Sequence, residues 1–413
     1  MPRRATRAST RLTRLEAEVE TLGPEKWRGL LRYVARLHSR SIRTDRLNLF
    51  PHPWEEIGSG YHFGPAFGHW DICHACFDTV PSEPHHAARQ MDNLFALQQP
   101  DGRMPVVMML RNGEPHLHKP TLTHPPVWPT VIDALAERGV DRRPVALDVA
   151  LRQLAWFDAH RNAGDGYAYA DLAQPDSFES GIDDGIRFLD VDTSDAHAEP
   201  LVDASCHVWL LIDAIARWSG DDVFRGRADQ LAAVVRETMW CDRLGFFFDP
   251  LHLRRGDPPA SFEGIWPLAL GIASNEQANR VIDDWLLRPD RLFGSHPLRT
   301  VAASDAAYEP RMWRGPAWNS MTLWAAIGCT RYGRHDAAVR LATAALDGSA
   351  AQFDRTGTIF EYYDPDGGPP EDLARKPYHP DQNTPSTDYL GHNPLIALAR
   401  LAVSAKPHVT GTV

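Results

Sequence analysis

Apolar residues along this chain recur mostly three and four apart, the spacing of helices, and clean alternation is rare. "GPEKWRGLLRYVARLHSR" (23–40) shows the pattern, with Pro24 where the first turn of a helix tolerates it. "EPHHAARQMDNLFALQQ" (83–99) runs into a Pro-Asp-Gly turn. "HPPVWPTVIDALAERG" (124–139) and "PLVDASCHVWLLIDAIARWSG" (200–220) stop at Gly139 and Gly220, suited to the left-handed position that closes a helix. "SNEQANRVIDDWLL" (274–287) opens with Ser274 and Gln277 at capping-box spacing. "WNSMTLWAAIG" (318–328), "RHDAAVRLATAALDG" (334–348) and "NPLIALARLAVSA" (393–405) continue the series. Many of these segments are apolar on more than one face, as buried helices are.

Strand-like pieces occur only as "LGFFFDP" (244–250) and "GTIFEYYDP" (357–365), each beside turn residues. The lack of β-α-β alternation argues against a parallel-sheet enzyme. Roughly a dozen helices and no Pro/Gly/Ser linker predict an all-α fold in one domain. Helices paired in two concentric rings, an (α/α)6 toroid, fit that number. The expected division is a helical lead-in over 1–50 and the main domain over 51–405.

Composition narrows the partners. Of 413 residues, 43% are hydrophobic and 23% charged, which is ordinary for a soluble globular protein. Lys plus Arg number 43 against 54 Asp plus Glu, and the net charge of −11 opposes nucleic acid and an anionic membrane as partners. No run reaches the ~18 apolar residues of a spanning helix. The Arg-rich start lacks the apolar core of a secretory signal and reads as an amphipathic lead-in helix. Five scattered cysteines argue against a disulfide framework and for a reducing, cytoplasmic setting. Cys73 and Cys76 match C-x-x-C, but no second pair completes a zinc site, and packing of small residues on a helix explains them.

Four stretches carry candidate chemistry. In "YHFGPAFGHWDICHACFD" (61–78), Phe63, Phe67 and Trp70 lead into a helix with Asp71 near its start. The carboxylate is either a cap for that helix or an acceptor for sugar hydroxyls beside an aromatic platform. In "LQQPDGRMP" (97–105), Gln98 can donate to and accept from a hydroxyl, while Asp101-Gly102 also reads as a plain turn. "DSFESGIDDGIRF" (176–188) gathers Asp176, Glu179, Asp183 and Asp184 among apolar residues. If buried together, such acids raise one another's pKa as a general acid requires; if not, the run is a solvated loop. In "GTIFEYYDPDGGP" (357–369), Glu361 stands among Phe360, Tyr362 and Tyr363, either incidental or held for acid/base work. Together these supply two carboxylate centres, aromatics and amide partners, the equipment of glycoside hydrolysis. Chemistry of that kind takes a small carbohydrate and calls for no metal or other cofactor.

The segments Trp70-Asp71, "QQPDG" with Met104-Pro105, "ESGIDDGIRF" (179–188), "WRGPAW" (313–318) and "FEYYDPDGG" (360–368) occur in an order that resembles glycoside hydrolase family 63. The likeness extends to its bacterial mannosylglycerate and glucosylglycerate hydrolase-like relatives and covers roughly residues 55–400. It implies an (α/α)6 barrel and an inverting α-glycosidase acting on an α-glucoside or α-mannoside of a small oligosaccharide or glycosylglycerate-like substrate. It also implies Asp183 as general acid and Glu361 as general base. Trp70, Asp71, Gln98, Trp313, Arg314 and Trp318 would bind substrate, with Phe67 and Tyr362 adding aromatic surface. The chain departs from the pattern at Asp184-Gly185, where the family often has Asn and then Ser-Pro. The extra carboxylate leaves open an exchange of roles between Asp183 and Asp184. The loop 111–129 matches nothing in the pattern; His124 and Trp128 are its candidates for aglycone contact. Arg111, Lys119 or Arg187 would read a carboxylate on the aglycone.

Two other readings compete. A sugar epimerase of the N-acylglucosamine 2-epimerase type shares the toroid and would use His207, His296 or His392 for proton transfer. A non-catalytic sugar-binding protein would keep the tryptophans and tolerate loss of both carboxylates.

Overall fold

The computed structural model describes residues 11–172, 177–189, 191, 199–376 and 382–404. Asp176 lies outside them. Helices dominate, in the order α1 (Thr13–Glu18), α2 (Glu25–Ser41), α3 (His69–Thr79), α4 (Pro84–Ala96), α5 (Trp128–Glu137), α6 (Arg143–His160) and α7 (Val202–Ser219). They continue with α8 (Asp222–Thr238), α9 (Pro250–Arg255), α10 (Trp266–Leu270), α11 (Asn275–Val281), α12 (Asn319–Arg331), α13 (His335–Thr356) and α14 (Leu395–Ser404). Among the described residues, no helix is long and apolar enough to cross a membrane.

Burial sorts the helices into two kinds. In α3, every residue except Phe77 is buried, and α12 is buried from Asn319 to Ala326. Their polar residues, Asp71, His74 and Asp78 of α3 and Asn319 and Ser320 of α12, are buried along with the apolar ones, so these stretches turn no face to water. By contrast, α8 buries only Ala228, Leu231, Ala232 and Val235, one stripe at helical spacing. The helices touch in a cycle: α3 meets α5, α5 meets α7, α7 meets α10, α10 meets α12, α12 meets α14, and α14 meets α3. Outside them, α4 packs on α3 and α5, α6 on α5 and α7, α8 on α7, and α13 on α12 and α14. Helix α2, from the lead-in, packs on α13 and α14.

The helix ends follow local chemistry. Gly220 closes α7 at φ 73°, a left-handed conformation that costs glycine little. Ser274 caps α11 through a hydroxyl that accepts from the Gln277 amide at 3.2 Å, while the Gln277 side chain accepts from the Ser274 amide at 2.9 Å. Cys73 and Cys76 are free and buried within α3, where burial pushes both thiols well above their ordinary value.

Strands are short but more numerous than expected. β1 (Ile42–Arg43) pairs with β2 (Trp54–Glu55), and β6 (Trp240–Cys241) with β7 (Phe246–Phe247), all antiparallel. The strand-like reading of 244–250 thus holds at β7, whereas 357–365 forms only isolated bridges, Phe360 to Thr387 and Tyr363 to Ala317. The unforeseen element is an antiparallel sheet of β3 (Ala66–Gly68), β4 (Val107–Arg111) and β5 (Glu114–His118). Its register pairs Phe67 with Met108 and Val107 with His118. Asn112 and Gly113 make the two-residue turn, both at positive φ, a conformation Asn-Gly favours. The loop 111–129 is therefore, at its start, one arm of a hairpin.

Removing the Ser274 hydroxyl leaves the Gln277 amide without its acceptor. Ser274→Ala is expected to lower the unfolding free energy by about 1 kcal/mol in urea titration, with activity unchanged.

Candidate active site

Of the segments singled out from the sequence, all but residues 97–105 reach one cavity of about 300 Å³. Trp70 and Asp71, from the first turn of α3, line it, as do Asp183, Trp313, Trp318 and Glu361. The β4–β5 hairpin supplies Val107, Met109, Arg111 and His118, and Lys119 follows it. Arg375, Lys376, Tyr389 and His392 add further polar groups to the lining.

Aromatic rings form one wall. Trp313 and Trp318 stack face to face, 3.8 Å between centroids and 6° between planes. Trp70 lies 6.1 Å from Trp313, and His392 meets both edge-on. Gly315-Pro316 breaks the chain before α12, so that Trp318 becomes the residue capping that central helix. The Trp318 indole donates to the Met312 carbonyl at 3.1 Å, fixing the stack to the loop that precedes it. Ala317 and Tyr363 exchange backbone bonds of 2.8 and 2.9 Å, tying this segment to the one that bears Glu361.

Glu361 is buried and fully partnered. Arg375 donates to it through Nε at 3.0 Å and Nη2 at 3.1 Å, and the Ser386 amide adds a bond of 3.0 Å. Burial acts to raise its pKa, but the Arg375 charge and these hydrogen bonds outweigh that, leaving it below the ordinary glutamate value. Asp71 has the opposite balance. Burial, reinforced by the charges of Glu361 and Asp183, raises it to about 7 against the Tyr389 hydroxyl, which donates to it at 2.7 Å. Asp183 pairs directly with Lys376. The Lys376 ammonium also sits 4.3 Å from the centre of the Phe178 ring, and Lys119 3.9 Å from it.

The acidic run is not one cluster, as mutual pKa raising would require, because each described acid has its own partner. Glu179 is wholly buried and takes Arg161 through Nε at 2.6 Å and Nη2 at 2.8 Å, with the Thr123 and Ala170 amides at 2.9 and 2.7 Å. Asp184 faces away from the cavity onto Arg314, which donates to its carboxylate at 3.0 Å and to its carbonyl at 2.8 Å; Arg311 lies 3.2 Å away. Of the described acids of the run, Asp183 alone reaches the cavity. Between them, Gly181 at φ 78° lets the Trp70 ring press on the backbone; a Cβ there would come within 2.3 Å of it.

Several expected contacts are spent elsewhere. Gln98 does not line the cavity; its amide donates to the Gly102 and Val149 carbonyls at 2.9 Å each. Arg314 is committed to Asp184 and Glu309 and lines a second cavity of about 130 Å³. Phe67 is a core ring between Phe50 and Trp54, and Tyr362 is buried with its hydroxyl on the Ala374 carbonyl. Arg187 is buried against Asp249 and Asp203, and Trp128 packs in the core with its indole on Gln153. His124 does line the cavity, with burial bringing its pKa down to about 3. Of the three epimerase candidates, His392 alone faces it; His207 is bonded to Tyr169 and His296 to Asn319. Tyr61, Arg375, Lys376 and Tyr389 escaped the sequence reading, since each is a single residue in irregular chain with no pattern to mark it. The hairpin had a signal, Asn112-Gly113 between apolar runs.

Residues 65–389 match the family described as Mannosylglycerate hydrolase MGH1-like glycoside hydrolase domain. The chain belongs to this family. Its likeness to individual members is uneven. Mannosylglycerate hydrolase MGH1 of Selaginella moellendorffii is 32% identical over 112 residues, 26% of this chain and 21% of that protein. The chain thus spans about a fifth of the length of the curated relatives it matches. The solved GH63 mannosylglycerate hydrolase from Thermus thermophilus shares the fold throughout. Its complex with glucose aligns at TM-score 0.65 and 18% identity over 90% of this chain and 99% of that one. Its complex with Tris and D-glycerate gives 0.64 and 20% over the same shares. The family 63 resemblance of the sequence is borne out, and the helical fold is that of these glycosidases.

The Asp71 pKa carries a pH signature. Because the folded value of about 7 lies above the unfolded one of about 3.9, the contribution is complete below pH 4 and is lost as pH rises to 7. Asp71→Asn keeps the shape without the charge. Its melting temperature is expected to gain on that of wild type from pH 4 to 7 and hold a constant margin above; a margin independent of pH would contradict the assignment.

Proposed function

We propose that this MGH1-like family member is an inverting α-glycosidase, with Asp183 as general acid and Glu361 as general base. The observation that carries this reading is that two carboxylates from distant parts of the chain line one small cavity beside a tryptophan wall. Asp183 would protonate the leaving oxygen. Glu361, which its partners keep below the ordinary pKa, would accept a proton from the attacking water. Trp70, Trp313 and Trp318 offer apolar faces to a pyranose, and Asp71 and His392 offer polar partners to its hydroxyls. A cavity of about 300 Å³ suits a small glycoside, either an α-glucoside or an α-mannoside. Arg111, Lys119 and Lys376 give its lining cationic groups, which favour a glycosylglycerate-like substrate over a neutral oligosaccharide.

On this reading the domain spans 51–405 with 1–50 as lead-in, and the cyclic helix contacts support an (α/α)6 toroid. The epimerase alternative would need two bases facing one sugar carbon, and the residues named for it are dispersed.

Asp183→Asn and Glu361→Gln are each expected to reduce kcat on an α-glucosyl- or α-mannosylglycerate by about 10²–10⁴-fold; Glu361→Gln should also melt lower than wild type, because it leaves the buried Arg375 without its charge partner. Near-wild-type turnover by Glu361→Gln would remove Glu361 as the base. NMR of the first-formed sugar is expected to show the β-anomer; release of the α-anomer would rule out inversion.

A further inference from the structure

Lys376 is an obstacle to the proposed chemistry in the substrate-free site. A general acid must hold a proton when the glycosidic bond breaks. Here the Lys376 ammonium is in direct contact with Asp183 Oδ2, so one of the two oxygens able to carry that proton is taken. The two side chains are only 8% and 20% exposed, so water screens the pair little.

A second anion can compete for the same ammonium. The acids lining the cavity are already engaged: Glu361 with Arg375, and Asp71 with Tyr389. The cavity wall near Asp183 is cationic, with Lys119 and Lys376 both against the Phe178 ring and Arg111 contributed by the hairpin. A substrate whose leaving part carries a carboxylate brings such an anion to this place.

We propose that Lys376 is a substrate-operated latch: the anionic leaving part takes its ammonium from Asp183, and the freed carboxyl then loads the proton used in bond cleavage. The inference rests on the glycosidase reading above. The step balances. Lys376 exchanges one anionic partner for another, and Asp183 takes one proton from solvent. When the glycosidic bond breaks, that proton and the bonding electron pair go to the leaving oxygen. Water forms the new bond to the anomeric carbon and gives its proton to Glu361. Lys376 is thus a specificity-determining residue: it makes the acid available only to substrates that carry the charge.

The test uses matched substrates, the α-glucosides and α-mannosides of glyceric acid and of glyceramide, which differ in a carboxylate against an amide. Wild-type kcat is expected to favour the acid by about 10-fold or more, the effect of one contacting charge. Lys376→Met should raise kcat on the amide and KM for the acid, bringing the kcat ratio near one, while Lys376→Arg retains the ratio. The ratio is taken within each variant, so a partly unfolded preparation does not alter it. Wild-type enzyme that turns over acid and amide alike, or a Lys376→Met ratio equal to that of wild type, would overturn the latch. Wild-type enzyme that cleaves none of the four would overturn the glycosidase reading, and the latch with it.

Discussion

The clasp of Arg375 on Glu361 is the interaction around which the site is arranged. A carboxylate this deeply buried would otherwise take up a proton, and its burial does push its pKa upward. Two parallel bonds from the guanidinium, and one from the Ser386 amide, reverse that. Severing such a buried pair generally costs about 3–5 kcal/mol, because the remaining charge is left without a partner. The clasp also joins chain segments that have no regular structure to align them. Arg375 takes its own amide to the Asn383 side chain at 2.9 Å, Phe360 bridges to Thr387, and Tyr363 bridges to Ala317. Glu361, the tryptophan pair and the strip before α14 are therefore held in one frame by a charge pair and a few backbone bonds.

The same economy governs the acid loop. Its acids look alike in sequence, yet the fold gives each a different task through the cation it meets. Arg161 makes Glu179 an anchor, Arg314 and Arg311 turn Asp184 outward, and Lys376 meets Asp183 in the cavity. Arg314 thus acts on Asp183 at one remove, by holding the backbone and side chain of its neighbour.

Helices were legible because periodicity and caps are local: Gly220 and the Ser274–Gln277 box stand where the pattern put them. The two carboxylates and three of the tryptophans were legible because their motifs are dense in costly residues. Gln98, Arg314, Phe67 and Tyr362 misled because a sequence reveals which bonds a side chain can make and not which it has already made. In the fold, carbonyls, carboxylates and core neighbours use them up. Arg375 and Lys376 were invisible for the converse reason. They matter through partners far off in the chain, and nothing near them in sequence records it.

The hairpin that faces the cavity stands apart from the helices in how it is held. Its ladder runs to β3 alone, and β3 leads without a break into α3. The groups it presents, Met109, Arg111 and His118, come from one short turn-and-strand unit whose register Asn112-Gly113 sets. The helix that Trp318 caps lies outside that register, and α3 meets it at its first residue, where the His69 amide donates to the Val106 carbonyl at 3.0 Å. Such an arrangement separates two evolutionary problems: the hairpin can be lengthened, recharged or exchanged, changing what the mouth of the site accepts, while the helical frame and its buried charge pairs stay as they are.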